Sequence, residues 1–177
     1  MSETLAGSGL RVIIFLVLFC HIPILKAQEN TRSIGGQFSY QAQDFFFGLH
    51  VASQHRRLEH KLQLQVGVRT TFFQQRIFPQ ISYQFTWYPV NLSWFRAGVF
   101  IRPVFAEVNA KKDSSNGYVF YEELLPGLGL SFGKKHRIST SFMYGPFYEQ
   151  RFSSLNNAYN PFFAWTFNAE ISYAYAF

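Results

Sequence analysis

Five charged residues stand where a folded chain could bring their side chains together in its interior. Arg69, Arg96, Arg102, Glu123 and Glu170 all lie on the polar phase of segments whose other phase is apolar. A buried charge without a partner is strongly destabilising, so we expect these residues to form ion pairs, with Arg102 near Glu123 and Arg69 near Glu170. The pattern predicts an ion-pair network that fills an interior, and a gate or narrow ion path is the alternative.

Histidine and serine residues offer weaker chemistry. His50 and Ser53 form the nearest base–nucleophile pattern, but residues three places apart in a strand point to opposite faces. Nucleophilic catalysis needs both groups within hydrogen-bond reach. His50, His55 and His60 are evenly spaced in a way that matches no zinc pattern. We therefore expect no catalytic residue, no metal site and no cofactor.

A side-chain period of two identifies the elements that must position these residues. In 163–177 every odd position is apolar and most even positions are small or polar, as in a β-strand with one apolar face. Similar segments, separated by turn signals, precede it. The residues from 28 to 35 read as a short lead, 54–59 as a polar turn, and 109–117 and 153–161 as exposed loops. Eight strands are predicted, at 36–43, 45–53, 60–72, 79–88, 93–108, 118–132, 137–152 and 162–177.

The first 27 residues read as a cleaved signal peptide. Arg11 precedes an apolar run that is shorter than the roughly 20 residues a membrane-spanning helix needs. Ala27 is the natural cleavage point, which leaves residues 28–177 as one domain. The one cysteine of the chain, Cys20, would be removed, so neither a disulfide nor a thiol site is expected.

Composition points to a protein that exposes many rings. Aromatic residues make up 20% of the chain, yet the mean hydropathy is only −0.03. Outer-membrane barrels combine an outward apolar band and aromatic girdles with a polar interior, which gives such an average. The net charge of +6 would favour nucleic acid in a soluble protein. Here the basic residues cluster in predicted turns and no nucleic-acid-binding motif is present, so no nucleic-acid partner is expected.

The closing segment resembles the last strand of bacterial outer-membrane β-barrels. Phe177 follows aromatic residues at alternating positions, and the resemblance makes Trp165, Tyr173, Tyr175 and Phe177 the membrane girdle and assembly signal. The whole of 28–177 resembles the small eight-stranded OmpA/OmpX-like barrels. The resemblance implies an all-β, transmembrane, antiparallel up-and-down β-barrel in the outer membrane of a Gram-negative bacterium. Its implied partners are outer-membrane lipid and the barrel assembly machinery, and no domain is expected after Phe177.

The role expected from this resemblance is structural, surface-interacting or accessory, with a protein or surface ligand at 109–117 and 153–161. Eight strands leave an interior just wide enough for side chains, so open diffusion is not expected. Three alternatives stay open. They are a lipid A-modifying enzyme, a small gated channel and a soluble lipocalin-like barrel with its apolar face inside. Lipid A deacylases resemble the chain in size but use a His-x-Ser pair, a spacing that His50 and Ser53 do not have.

Overall fold

The computed structural model describes residues 30–41, 44–71, 74–112, 115–153 and 158–177. Side chains are described except at 30, 69–71, 74–78, 107–112, 115–121, 150–153 and 158–160. The predicted signal peptide lies outside these residues. All the described elements are strands, and they contain no helix that is long and apolar enough to cross a membrane. The strands are β1 (Asn30–Gln41), β2 (Asp44–His55), β3 (Leu58–Thr71), β4 (Gln74–Asn91), β5 (Phe95–Lys112), β6 (Ser115–Phe132), β7 (His136–Ser153) and β8 (Ala158–Ala176).

The eight strands form one closed antiparallel barrel in which each strand pairs with its neighbours in the sequence. The barrel closes between β1 and β8, with Ser33 opposite Ala176 and Gln41 opposite Asn168. Two backbone bonds extend this seam, because Arg32 and Phe177 each donate an N–H to the carbonyl of the other, at 3.2 and 2.9 Å. The predicted all-β, up-and-down, eight-stranded architecture is thus confirmed.

Several strands are longer than predicted. β1 begins at Asn30, inside the expected lead, and β4 begins at Gln74. Most of the predicted loop 109–117 pairs as the ends of β5 and β6, and most of 153–161 belongs to β7 and β8. Residues 113–114 and 154–157 lie outside the described residues. Polar residues can continue a strand because the neighbouring strand still satisfies their backbone N–H and C=O groups.

Three tight connections, 56–57, 92–94 and 133–135, lie at one end of the barrel, which we call the short-turn end. The predicted turn at 54–59 shrinks to two residues, because β2 and β3 pair as far as His55 and Leu58. Arg56 and Gly133 turn the chain with positive φ values of 52° and 104°.

The barrel reverses the usual distribution of polarity. Large apolar side chains are exposed on the outer face, among them Leu49 at 68% and Ile171 at 60%, whereas most of the buried side chains are polar or charged. Aromatic side chains collect near both ends of this outer face. Those nearer the short-turn end include Trp87, Trp94, Phe132, Tyr173, Tyr175 and Phe177, and those nearer the other end include Tyr40, Phe162, Phe163 and Trp165.

Candidate functional site in the barrel lumen

Strand alternation directs one polar set of side chains into the lumen. On β4, for example, Ser82, Gln84 and Thr86 are buried, whereas the next residue, Trp87, is exposed. Because the period is two, a strand that places one polar residue inside places all those of the same phase inside. The lumen is therefore built from polar residues of every strand, and their contacts fall into three clusters along its length.

The middle cluster centres on Glu170 of β8. One carboxylate oxygen accepts a hydrogen bond from Lys61 Nζ at 3.1 Å and another from Gln63 Nε2 at 3.3 Å. The second oxygen accepts from the Arg102 guanidinium at 2.7 Å. Arg102 and Glu170 are 1% and 2% exposed, so this ion pair is fully buried. Side chains from β3 and β5 thus meet one carboxylate from β8 across the lumen.

Amide and hydroxyl groups extend the middle cluster along β4. The Arg102 guanidinium also donates to Gln84 Oε1, with Nε at 3.0 Å. Gln84 in turn donates to Thr86 Oγ1 at 2.9 Å, and Ser82 donates to Gln63 Oε1 at 2.6 Å. Because the guanidinium is satisfied on two sides, its position is fixed by geometry as well as by charge.

A second cluster lies at the short-turn end. The Tyr88 hydroxyl donates to one oxygen of Glu59 at 3.1 Å, and Arg96 lies 3.9 Å from the other. The Arg96 guanidinium also stands over the Tyr88 ring, 5.3 Å from its centre, and donates to Gln54. Arg137 approaches the same Gln54 oxygen at 3.5 Å. Residues of five strands therefore close this end of the lumen.

The third cluster lies beyond Glu170, towards the opposite end. Asn168 donates to Gln41 Oε1 at 2.9 Å, and Gln41 donates to Glu123. The side-chain oxygen of Asn168 and the second carboxylate oxygen of Glu123 are buried and have no hydrogen-bond partner among the described residues. Buried acceptors of this kind ordinarily bind water.

One side of the lumen is apolar, which the sequence pattern did not predict. Phe46, Phe100, Leu125 and Met143 pack with Val104 and Ala106 in a buried cluster, joined by the half-buried Phe147. The available signal was a loss of alternation. In Val99-Phe100-Ile101 and Phe142-Met143-Tyr144 both phases are apolar, so the inward residue is apolar as well.

The structure places four of the five predicted charged residues inside, but Arg102 and Glu123 do not form the predicted pair. Arg96, Arg102, Glu123 and Glu170 are all buried in the lumen. Arg102 pairs with Glu170, whereas Glu123 binds Gln41. The side chain of Arg69 lies outside the described part, so its predicted pairing with Glu170 is not tested. Glu170 has a second cationic partner that was not predicted, Lys61 of β3. The shear of the barrel decides which residues of different strands lie at the same height in the lumen, and sequence positions alone do not reveal the shear.

The predicted girdle residues all lie on the outer face. Trp165, Tyr173, Tyr175 and Phe177 are 42–68% exposed. Trp165 stacks on Tyr144 of β7 with ring centres 5.3 Å apart and planes 15° apart. The Tyr173 hydroxyl lies 2.6 Å from His136 Nδ1. The first pair joins β7 to β8 near the middle of β7, and the second joins them at the short-turn end.

The structure separates the histidine and the serine that the sequence offered as a base–nucleophile pair. His50 is buried in the lumen, whereas Ser53 stands on the opposite face of β2. His60 is half-buried and bonds to the Tyr83 hydroxyl. Among the residues with described side chains, no three His, Cys, Asp or Glu come together as metal ligands.

Comparison with known proteins supports the fold. No family model and no curated protein matches the sequence. Among solved structures, the chain is similar to the N-terminal β-barrel domain of Pseudomonas aeruginosa OprF, with a TM-score of 0.58 and 10% identity over 84% of this chain and 98% of that one. It is also similar to a major outer membrane protein of Thermus thermophilus, with a TM-score of 0.53 and 10% identity over 85% and 100%. The chain thus has the fold of the small eight-stranded, OmpA-like barrels.

Proposed function

We propose that the protein is a small outer-membrane β-barrel of a Gram-negative bacterium with a structural, surface-interaction or accessory role. The observation that carries this proposal is the reversed polarity of the barrel. Exposed Leu, Ile, Val and Phe side chains cover its outer face, while charged and amide side chains fill its interior. In water such a surface would be an aggregation hazard, whereas in a bilayer it is the required arrangement.

The dimensions of the outer face support the same proposal. Trp165 and Tyr175, which lie in the two aromatic bands, are ten positions apart on β8. A tilted strand crosses a bilayer in about 9–11 residues, so each band would lie at one membrane–water interface. A soluble lipocalin-like barrel would instead need its apolar face inside, and this lumen has a mostly polar lining.

The lumen favours a plug over a pore. Glu170, Arg102 and Lys61 meet near its middle, and the cluster of Glu59, Tyr88 and Arg96 closes the short-turn end. The proposed role is non-enzymatic, with contacts to a protein or surface ligand assigned to 109–117 and 153–161. Outer-membrane lipid and the barrel assembly machinery are the remaining proposed partners.

The first test is heat-modifiability of the protein extracted from the outer-membrane fraction. We expect the unboiled protein to migrate differently from the boiled protein, because a closed barrel keeps its compact form in detergent until it is heated. A protein recovered in the soluble fraction, with no shift on boiling, would overturn the proposal.

A matched pair of variants separates a membrane face from a merely exposed one. Leu64 is 58% exposed in the middle of β3, and Leu58 is 38% exposed at the start of the same strand. Leu64→Lys should lower folding stability in vesicles by about 2–4 kcal/mol, and Leu58→Lys by about 0–1, because the cost of a lipid-facing charge depends on depth. Equal and small effects at both positions would contradict a bilayer around this face.

A further inference from the structure

The ladder between β6 and β7 is interrupted near the middle of the barrel wall. Glu123 pairs with Phe147 and Gly127 pairs with Met143, but the residues between them do not pair. Pro126 lies in the gap on β6 and Pro146 in the gap on β7. Proline has no N–H to contribute to a ladder, so two prolines in one gap account for the break.

A depression opens on the outer face over this break. Its volume is about 480 Å³. The side chains on its rim are exposed and apolar apart from one tyrosine hydroxyl, and they come from β5, β6, β7 and β8. One wall carries the paired rings of Phe142 and Phe167, with centres 6.3 Å apart. The rim residues are Val99, Pro126, Leu128, Phe142, Tyr144 and Phe167.

The floor of the depression belongs to the interior. It is formed by Phe100, Gly127 and Met143, which lie on the inward phase of their strands. Phe100 and Met143 are 6% and 2% exposed and are members of the apolar cluster in the lumen. A Cβ atom at Gly127 would lie 2.5 Å from the Phe100 ring and 2.7 Å from Met143 Cγ, so the glycine lets these two side chains pack closely against the wall beneath the depression. The depression therefore lies directly over the apolar side of the lumen and is closed beneath by Phe100 and Met143.

We propose that this depression is a binding site for one acyl chain of a membrane lipid, which would lie against the β6–β7 break and contact the edges of Phe100 and Met143 at its floor. The inference rests on the proposed outer-membrane location. A linear hydrocarbon fits the chemistry because the site lies in the apolar face between the aromatic bands and offers almost no polar group. A strand from a second copy fits poorly, since Pro126 and Pro146 have no N–H with which to pair it.

Photolabelling tests this site. The full chain is folded into phosphatidylcholine vesicles that contain a trace of phosphatidylcholine with a diazirine in its acyl chain. After irradiation the labelled residues are identified by mass spectrometry. We expect adducts on the rim and, above all, on the inward Met143 and Phe100. Lipid that merely surrounds a barrel reaches outward side chains, so an adduct on an inward residue reports a seated chain.

Two variants provide the matched comparison. Leu128→Trp adds bulk at the rim, and Leu49→Trp adds the same bulk to an outward position on β2, far from the break. We expect Leu128→Trp to reduce labelling of Met143 severalfold and Leu49→Trp to leave it unchanged. Both positions are exposed, so both variants should fold, which the gel shift on boiling verifies.

The outcomes distinguish this proposal from the one on which it rests. A protein that does not insert into vesicles overturns both. A protein that inserts, but whose adducts spread evenly over outward residues and spare Met143 and Phe100, overturns the acyl-chain site alone. Rim residues that stay unlabelled, together with a cross-linked dimer, would identify a second copy as the occupant. That result would also overturn the acyl-chain site.

Discussion

Glu170 carries the one carboxylate that Lys61 and Arg102 share in the middle of the lumen. All three side chains are at least nine-tenths buried, so water screens their charges little. A buried ion pair adds little net stability compared with well-packed apolar residues, but removal of one partner leaves an uncompensated charge. Of these three residues, Glu170 is therefore the one whose substitution should lower folding stability most.

Glu170→Gln should lower the free energy of unfolding by about 3–5 kcal/mol, because two buried cations lose their counter-charge. The measurement is urea unfolding of the barrel in lipid vesicles. The triple variant Glu170→Gln, Arg102→Met, Lys61→Met should recover much of the loss, since it removes the cations as well. A single variant as stable as the wild type would contradict the buried ion pair.

At this scale the sequence predicted which charges point inward but not which of them meet. The polar phase of each strand assigned Arg96, Arg102, Glu123 and Glu170 to the interior. The partner of Arg102 lies three strands further along the barrel wall and depends on shear and on side-chain reach, neither of which a pattern along one strand contains. The alternation of polar and apolar residues did not predict the apolar cluster, because both phases are apolar in the segments that form it.

The turns of the short-turn end have specific backbone requirements. Gly133 has a φ of 104°, which a side chain rarely tolerates, and its N–H donates to the Trp94 carbonyl at 2.8 Å. Arg56 also has a positive φ, of 52°, but in the left-handed region that other residues can reach at a cost. Glycine is therefore required at the first position and optional at the second.

Gly133→Ala should destabilise the barrel by about 1–3 kcal/mol, the usual cost of a strained backbone. Arg56→Gly should be neutral or slightly stabilising, because glycine adopts a positive φ without strain. Lys134→Ala, at an exposed position of the same turn as Gly133, serves as the control and should change little. Unfolding midpoints in urea measure all three. Equal effects of Gly133→Ala and Lys134→Ala would show that the backbone angle does not matter.

The sequence predicted the number and type of the elements better than it predicted where each strand begins and ends. Alternation gave all eight strands, since one apolar face per strand is written into the chain. Strand ends were less accurate where polar residues continue the ladder, as at Asn30 and Lys112, because backbone pairing does not depend on side-chain polarity. The break at Pro126 and Pro146 needed the register, which places the two prolines in the same gap between β6 and β7.

The whole molecule combines a narrow barrel with a filled lumen. Eight strands leave room for side chains and little else. The middle cluster, the cluster at the short-turn end and the apolar cluster together occupy the interior from several sides. Removal of one side chain would leave the others in place, so the barrier to ions does not depend on a single residue.

Planar-bilayer recordings should therefore show no discrete conductance steps for the wild type. Arg102→Ala should behave in the same way, because Lys61, Gln63 and Gln84 still occupy the middle of the lumen. A porin of known conductance, added to the same bilayer, verifies that the recording detects open channels. Reproducible steps from either protein would favour the small gated channel instead.

The pairing of β1 with β8 has a consequence for how the barrel is made. Every other strand pair joins segments that are adjacent in the chain, but this seam joins the first described strand to the last. Until β8 arrives, β1 presents a row of unpaired backbone groups that any other strand could occupy. All eight strands must thus be present before the wall can close. Misassembly is therefore most to be expected while the last strand is still absent.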